Sequence, residues 1–183
     1  SSDLLSERAC DSVVIDSYPA LIAPQEDEDV AYTLDWLRGT IRQAATRHGC
    51  KWIIIDPWNE IEHVWNITET EAGYTNSALR ELKRLARQFQ VALFVVTHPS
   101  KVGGQVRDIG QASLYDIAGA AAWKNKADHG IIVQRIDGSK TGTYIKVDKS
   151  KDHRRMGRPG IARMAFDAER ADFQYLGHGI EDA

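Results

Sequence analysis

The chain has 183 residues, of which 43% are hydrophobic and 8% aromatic, enough for one well-packed core. We therefore expect a single domain over residues 1–183. Its 23 lysines and arginines against 26 aspartates and glutamates give a net charge of −3, so nucleic-acid binding would require a local basic patch. The two cysteines are too few for a disulfide framework, and the apolar runs are too short to cross a membrane. With no signal peptide, these features predict a cytoplasmic protein without membrane contact.

The first half of the chain alternates short apolar runs with helical patterns. Residues 13–15, 52–55 and 91–96 are apolar without alternation, which is typical of strands buried on both faces. Between them, apolar residues recur at helical spacing across 24–49 and 76–89. Helix-length connections between buried strands favour right-handed βαβ units. We therefore predict an α/β fold with a mainly parallel sheet flanked by helices.

The second half follows a different pattern. Residues 100–111 are rich in glycine and polar side chains, and they predict a loop that carries Lys101 and Arg107. A short helix rich in small residues is expected within 113–128. Three strands at hairpin spacing follow, at 131–135, 143–149 and 162–167. We expect these strands to run antiparallel at one edge of the sheet.

Polar residues stand where three of the predicted strands end. Asp56 directly follows an apolar run, and Asp16 and His98 hold the same place on their own strands. Ligands of open parallel sheets collect at the carboxyl ends of the strands, so these side chains could converge on one rim. Each could equally be a cap of its strand or turn. Four apolar residues followed by aspartate form the Walker B pattern, whose carboxylate holds the Mg²⁺ of a bound nucleotide directly or through water.

Four sequence blocks occur in an order that is typical of one protein family. They read IIIDPWNEIEH, VVTHPSK, SLYDIAGAAAWKNKADHGIIVQR and YIKVDKSKDHRRMGRPGIARMAFD. Together, over about residues 50–167, they resemble the RecA-type P-loop ATPase core of ring-forming replicative helicases, the DnaB and Twinkle group and the phage primase-helicases. The resemblance implies a RecA-like fold, hydrolysis of ATP with Mg²⁺, binding of single-stranded DNA and assembly into a ring, expected to be hexameric.

The resemblance also implies roles for individual residues. Asp56 matches the Walker B aspartate, and His98 matches the polar residue that ends the third strand and senses the γ-phosphate. Lys149 and Lys151 match the paired basic residues that reach the nucleotide of the neighbouring subunit. In a separate region, the predicted loop lies where these proteins contact DNA in the ring channel, which assigns that role to its two cations, Lys101 and Arg107.

The sequence departs from the family pattern in two ways. No G-x-x-x-x-G-K-[ST] phosphate loop is present, and GSKT at 138–141 lies between two predicted strands and cannot open a helix. In the family, the phosphate loop and the strand with the catalytic glutamate come earlier. We therefore expect the chain to be a C-terminal portion of a larger ATPase, truncated before residue 1. Lys151 stands where relatives commonly have arginine, a role open to Arg154, Arg155 or Arg158.

Several alternatives stay open at this point. The chain could be a non-catalytic RecA-like module for oligomerisation or DNA contact, or a RecA-fold regulatory ATPase that does not unwind DNA. Glu60, Glu62 and His63 could suggest a metal cluster, but we expect them to be solvated and expect no zinc site. Trp58 and Trp65 could pack in the core, contact a subunit or stack on bases.

Overall fold

Two compact units divide the chain, Ser1–His98 and Pro99–Ala183. The structure is a computed structural model that describes residues 12–16, 31–64, 70–99, 108–136 and 138–180. The single domain predicted for residues 1–183 stays a prediction. None of the helices in the described ranges is long and apolar enough to cross a membrane.

The first unit contains a three-stranded parallel sheet in the order β1-β2-β3. The strands are β1 Ser12–Asp16, β2 Trp52–Asp56 and β3 Ala92–Val95. Their register pairs Asp16 with Asp56 and Ile55 with Val95. The carboxyl ends of the three strands therefore lie at one edge of the sheet, as the apolar runs predict.

Two helices accompany this sheet, α1 Leu34–Arg47 and α2 Glu71–Phe89. Thr33 begins α1 by accepting a hydrogen bond from the amide of Trp36, and Thr70 caps α2 in the same way. The buried apolar residues of both helices form a core with β2. Its largest fully buried members are Leu37, Ile41, Ile53 and Ile55.

The opposite face of β2 and β3 is exposed, which corrects the prediction of strands buried on both faces. Trp52 and Phe94 stack with ring centroids 5.4 Å apart and are 55% and 40% exposed. Both helices pack on the other face, where Arg38 of α1 contacts Glu81 of α2 at 3.2 Å. Residue hydropathy alone does not show which face a helix covers.

The second unit begins with a 3₁₀ turn at Leu114–Asp116 and helix α3, Ala120–Lys126, and continues into a four-stranded antiparallel sheet in the order β4-β5-β6-β7. The remaining elements are β4 His129–Arg135, β5 Gly142–Ser150, α4 His153–Met156, β6 Gly160–Asp167 and β7 Asp172–His178. The α/β class with parallel and antiparallel strands is confirmed. Strand β7 and the one-turn helix α4 are additions that the sequence patterns do not predict.

The ladder between β4 and β5 contains one irregularity. Gly130 pairs with Lys149 and Ile131 with Val147, so Asp148 is an extra residue in β5. Such a bulge re-aims side chains and interrupts strict alternation. Consequently Asp148 and Lys149, although adjacent, both contact Lys124 in α3, one through the ammonium and the other through the backbone carbonyl.

Candidate functional site

Asp56 is exposed at the carboxyl end of β2. The chain stays close to the neighbouring strand beyond this point. The amide of Val96 donates to the carbonyl of Ile55 at 2.8 Å, and the amide of Trp58 donates to the carbonyl of Val96 at 2.8 Å. The segments that leave β2 and β3 therefore stay side by side, and His98 follows two residues after Val96.

The turn after Asp56 is held by buried aromatic contacts. A cis peptide bond joins Asp56 to Pro57, and a 3₁₀ turn covers Trp58–Glu60. The indole of Trp58 is buried and lies 4.7 Å from the ring of His63, whose Nδ1 is 3.1 Å from the Tyr74 hydroxyl. Burial lowers the pKa of His63, although the backbone of Trp58 and the charge of Glu71 act in the opposite direction. Trp58 is thus a core residue, which decides one of the alternatives left open above, whereas Trp65 lies outside the described residues.

Asn59 connects this turn to the end of β3. Its side-chain oxygen Oδ1 accepts hydrogen bonds from the Thr97 hydroxyl at 3.1 Å and from the His98 amide at 3.2 Å. The sequence analysis did not select Asn59. Its position three residues after the Walker B aspartate, in a turn with proline, was the available signal.

The basic residues predicted to reach a neighbouring subunit follow β5 in the second unit. The ammonium of Lys149 donates to the carbonyl of Lys124 at the end of α3. Lys151 pairs with Asp128 at 3.2 Å in an exposed ion pair. Both side chains thus have partners within their own unit.

The arginines that follow are exposed to solvent. Asp152 caps the one-turn helix α4 by accepting the amides of Arg154 and Arg155 at 3.2 and 3.3 Å. Arg155 also approaches this carboxylate at 3.7 Å. Arg154 and Arg158 are exposed, and neither guanidinium has a hydrogen-bond or ion-pair partner among the described residues.

Lys101 and Arg107 lie outside the described residues, but the segment after them is well defined. Lys146 of β5 donates to the carbonyls of Gly110 and Ala112 at 3.0 and 2.5 Å. Next to it, Asp148 accepts the amide of Leu114 at 3.1 Å. We call Lys146 and Asp148 the loop anchor, because they fix the segment that follows the predicted DNA loop.

Comparisons with known proteins agree with this architecture, although no protein-family model matches the chain. The chain is 31% identical over 138 residues to the Twinkle homolog protein, chloroplastic/mitochondrial, of Arabidopsis thaliana, covering 74% of this chain and 19% of that protein. The solved ATPase domain of one DnaB-like helicase superimposes with a TM-score of 0.63 at 20% identity, covering 79% of this chain and 51% of that one. A second structure, of a DnaB-like replicative helicase, gives a TM-score of 0.62 at 20% identity, covering 77% and 34%.

This chain has the RecA-type ATPase core of DnaB-like and Twinkle-like helicases. The family resemblance drawn from the four sequence blocks is therefore confirmed. The RecA-type core seen here spans about a fifth, 19%, of the curated relative that it matches. The roles of individual residues stay predictions.

The residues at the rim fit Mg²⁺ bound together with a nucleotide. Mg²⁺ keeps several waters and commonly takes only one or two protein carboxylates plus phosphate oxygens. Asp56 of the RecA-type core supplies one exposed carboxylate of this kind. Among the described residues, no group of three or more histidine, cysteine, aspartate or glutamate side chains could hold a metal ion alone. The donor set therefore fits a metal delivered with phosphates.

Proposed function

We propose that this chain is the C-terminal portion of the ATP-hydrolysing motor domain of a DnaB/Twinkle-like replicative DNA helicase. In this proposal the motor couples nucleotide hydrolysis to translocation on single-stranded DNA and works as a ring, expected to be hexameric. The single observation that carries it is the rim of the parallel sheet. There Asp56 and His98 follow adjacent strands, and Asn59 ties the two segments together.

The rim residues would divide the work on the nucleotide. Asp56 would hold Mg²⁺, which when bound with ATP neutralises charge on the β- and γ-phosphates. His98, at the end of the neighbouring strand, would contact the γ-phosphate. The phosphate cradle itself would come from residues outside this chain, because no phosphate-loop sequence is present.

The basic segment after β5 would act on the nucleotide of a neighbouring subunit. A cation supplied in this way stabilises the charge of the transition state and can be worth about three to five decades in rate. Lys149, Lys151, Arg154 and Arg155 are the candidates that follow from the resemblance. The exposure of Arg154 supports it as the residue that reaches across, since Lys149 already binds a carbonyl of its own unit.

The experiment is a measurement of ATPase activity in the full-length protein with and without single-stranded DNA. We expect DNA-stimulated hydrolysis in the wild type and its loss in Asp56→Asn, with a nearly unchanged Tm because Asp56 is exposed at a strand end. Full activity in Asp56→Asn would contradict the proposal. So would a large fall in Tm with activity retained, which would make Asp56 a structural cap.

A second candidate is a non-catalytic RecA-like module for oligomerisation or DNA contact. The absence of a phosphate-loop sequence favours it. A third is a RecA-fold regulatory ATPase. DNA binding without hydrolysis in the full-length wild type would support the module, and hydrolysis without strand separation would support the regulatory enzyme.

A further inference from the structure

Asn59 makes the contact that joins the segment after β2 to the segment after β3. One oxygen, Oδ1, accepts two hydrogen bonds from consecutive residues that lie 38 and 39 positions later in the chain. Among the described residues, these are the hydrogen bonds that Thr97 and His98 make. The backbone at His98 is thus held to the turn that follows Asp56.

The turn that presents Asn59 is itself well fixed. The amide of Trp58 donates to Val96 at 2.8 Å, and the amide of Ile61 closes the 3₁₀ turn by donating to Trp58 at 3.2 Å. Trp58 and Ile61 are buried, at 5% and 7% exposure. Asparagine has only two side-chain torsions, so a fixed backbone places its oxygen within a narrow volume.

We propose that Asn59 is a positioning residue that sets the location of His98 relative to Asp56. This inference rests on the proposed function, in which the two residues act on Mg²⁺ and the γ-phosphate of one nucleotide. Groups that act together at a reacting centre must be held within about 0.5 Å of their productive positions. A misplacement of about 1 Å can lower a rate by about 10²-fold. Asn59 has no part in the chemistry itself.

The test compares Asn59→Ala with Glu60→Ala in the full-length protein. Glu60 lies in the same turn and is also exposed, so its replacement is a matched control. We expect Asn59→Ala to lower kcat by about ten- to a hundredfold, since His98 is no longer positioned, with KM for ATP changed less than about twofold. Glu60→Ala should keep both values. A kcat for Asn59→Ala equal to that of the wild type would overturn the inference.

Thr97 provides a second pair of variants. Thr97→Val removes one of the two hydrogen bonds to Asn59, while Thr97→Ser retains the hydroxyl. We expect an intermediate loss of kcat in Thr97→Val and a rate near the wild type in Thr97→Ser. Equal rates in both variants would show that this bond does not matter for the reaction.

Amide hydrogen exchange gives a readout that does not depend on ATP hydrolysis. In Asn59→Ala the His98 amide should exchange about fivefold faster, as expected for loss of one hydrogen bond, while the Val96 amide keeps its rate because Ile55 still accepts it. Unchanged exchange at His98 would overturn the positioning contact. If instead the wild type has no ATPase activity, the proposed function fails, and faster exchange at His98 still identifies the contact.

Discussion

The carboxylate of Asp148 lies 2.6 Å from the ammonium of Lys124 and also accepts the backbone amide of Leu114 at 3.1 Å. Lys146 approaches the same carboxylate at 4.0 Å. These side chains are only 10%, 25% and 15% exposed for Asp148, Lys124 and Lys146. A single short acidic side chain therefore joins β5, helix α3 and the turn at Leu114 within the second unit.

Asp148→Asn should destabilise the protein by about 2 kcal/mol, since the largely buried ammonium of Lys124 loses its counter-charge. Urea denaturation followed by circular dichroism measures this. Asp35→Asn is the control, because Asp35 pairs with Arg38 on the surface and is 84% exposed. It should cost well under about 1 kcal/mol. Equal losses in the two variants would contradict a special role for Asp148.

The same side chain predicts how stability depends on pH. Burial by itself raises the pKa of Asp148, but hydrogen bonds from Lys124 and the Leu114 amide, with the charges of Lys124 and Lys146, bring it below its ordinary value. A carboxyl pKa that is lower in the folded state adds stability above the unfolded value, and this is lost as pH falls through the folded value. The difference in unfolding free energy between wild type and Asp148→Asn should therefore shrink below about pH 4. A difference that stays constant down to about pH 3 would contradict it.

Mixing two inactive variants tests whether a cation acts across subunits. Arg154→Ala and Asp56→Asn full-length proteins should each lose ATPase activity, yet a mixture should regain part of it, because some interfaces pair an intact Asp56 with an intact Arg154. The measurement is the ATPase rate against mixing ratio, with subunit exchange verified separately. No recovery at any ratio, despite exchange, would remove the support for action in trans.

Lys149→Ala serves as the comparison in this experiment. Lys149 donates to the Lys124 carbonyl, so its loss should lower Tm, whereas Arg154→Ala should leave Tm unchanged because its guanidinium is exposed. If Lys149→Ala keeps the Tm of the wild type and complements Asp56→Asn better than Arg154→Ala does, Lys149 is the residue that acts in trans.

Replacing Lys101 and Arg107 together with alanine should weaken single-strand DNA binding in the full-length protein. Each cation that contacts a phosphate releases counterions, so the slope of log affinity against log salt should fall by up to about two. Binding isotherms at several salt concentrations measure the slope. Lys140→Ala, an exposed site in the second unit, is the control and should keep it. An unchanged slope in the double variant would exclude backbone contacts by this loop.

The chain of 183 residues should bind ATP weakly and hydrolyse none, because its sequence has no phosphate loop. Titration calorimetry with Mg²⁺ and ATP measures the affinity. Binding in the micromolar range by these residues alone would contradict the assignment of the phosphate cradle to residues outside the chain.

The sequence predicted the parts of the fold that depend on local pattern. Strands β2 and β3 were located correctly, since unbroken apolar runs next to helical periods identify parallel strands. Asn59 was missed because its role depends on the approach of residues that lie 38 positions apart. Strand β7 was missed because most of its side chains are exposed, so no buried face imposes an alternating pattern. The KDHRRMGR segment was predicted as a solvated turn, and only the Asp152 cap reveals the helical turn within it.

The bulge at Asp148 divides β5 into two stretches that differ in the phase of their alternation. Removing one residue there would make the ladder with β4 regular, but every side chain from Lys149 onward would turn to the other face of the sheet. The packing of Tyr144 would be preserved while the direction of the following basic residues is inverted. The length of this strand, as much as its composition, therefore determines which side of the sheet receives the positive charge, and a one-residue deletion is tolerable only if a later insertion restores the count.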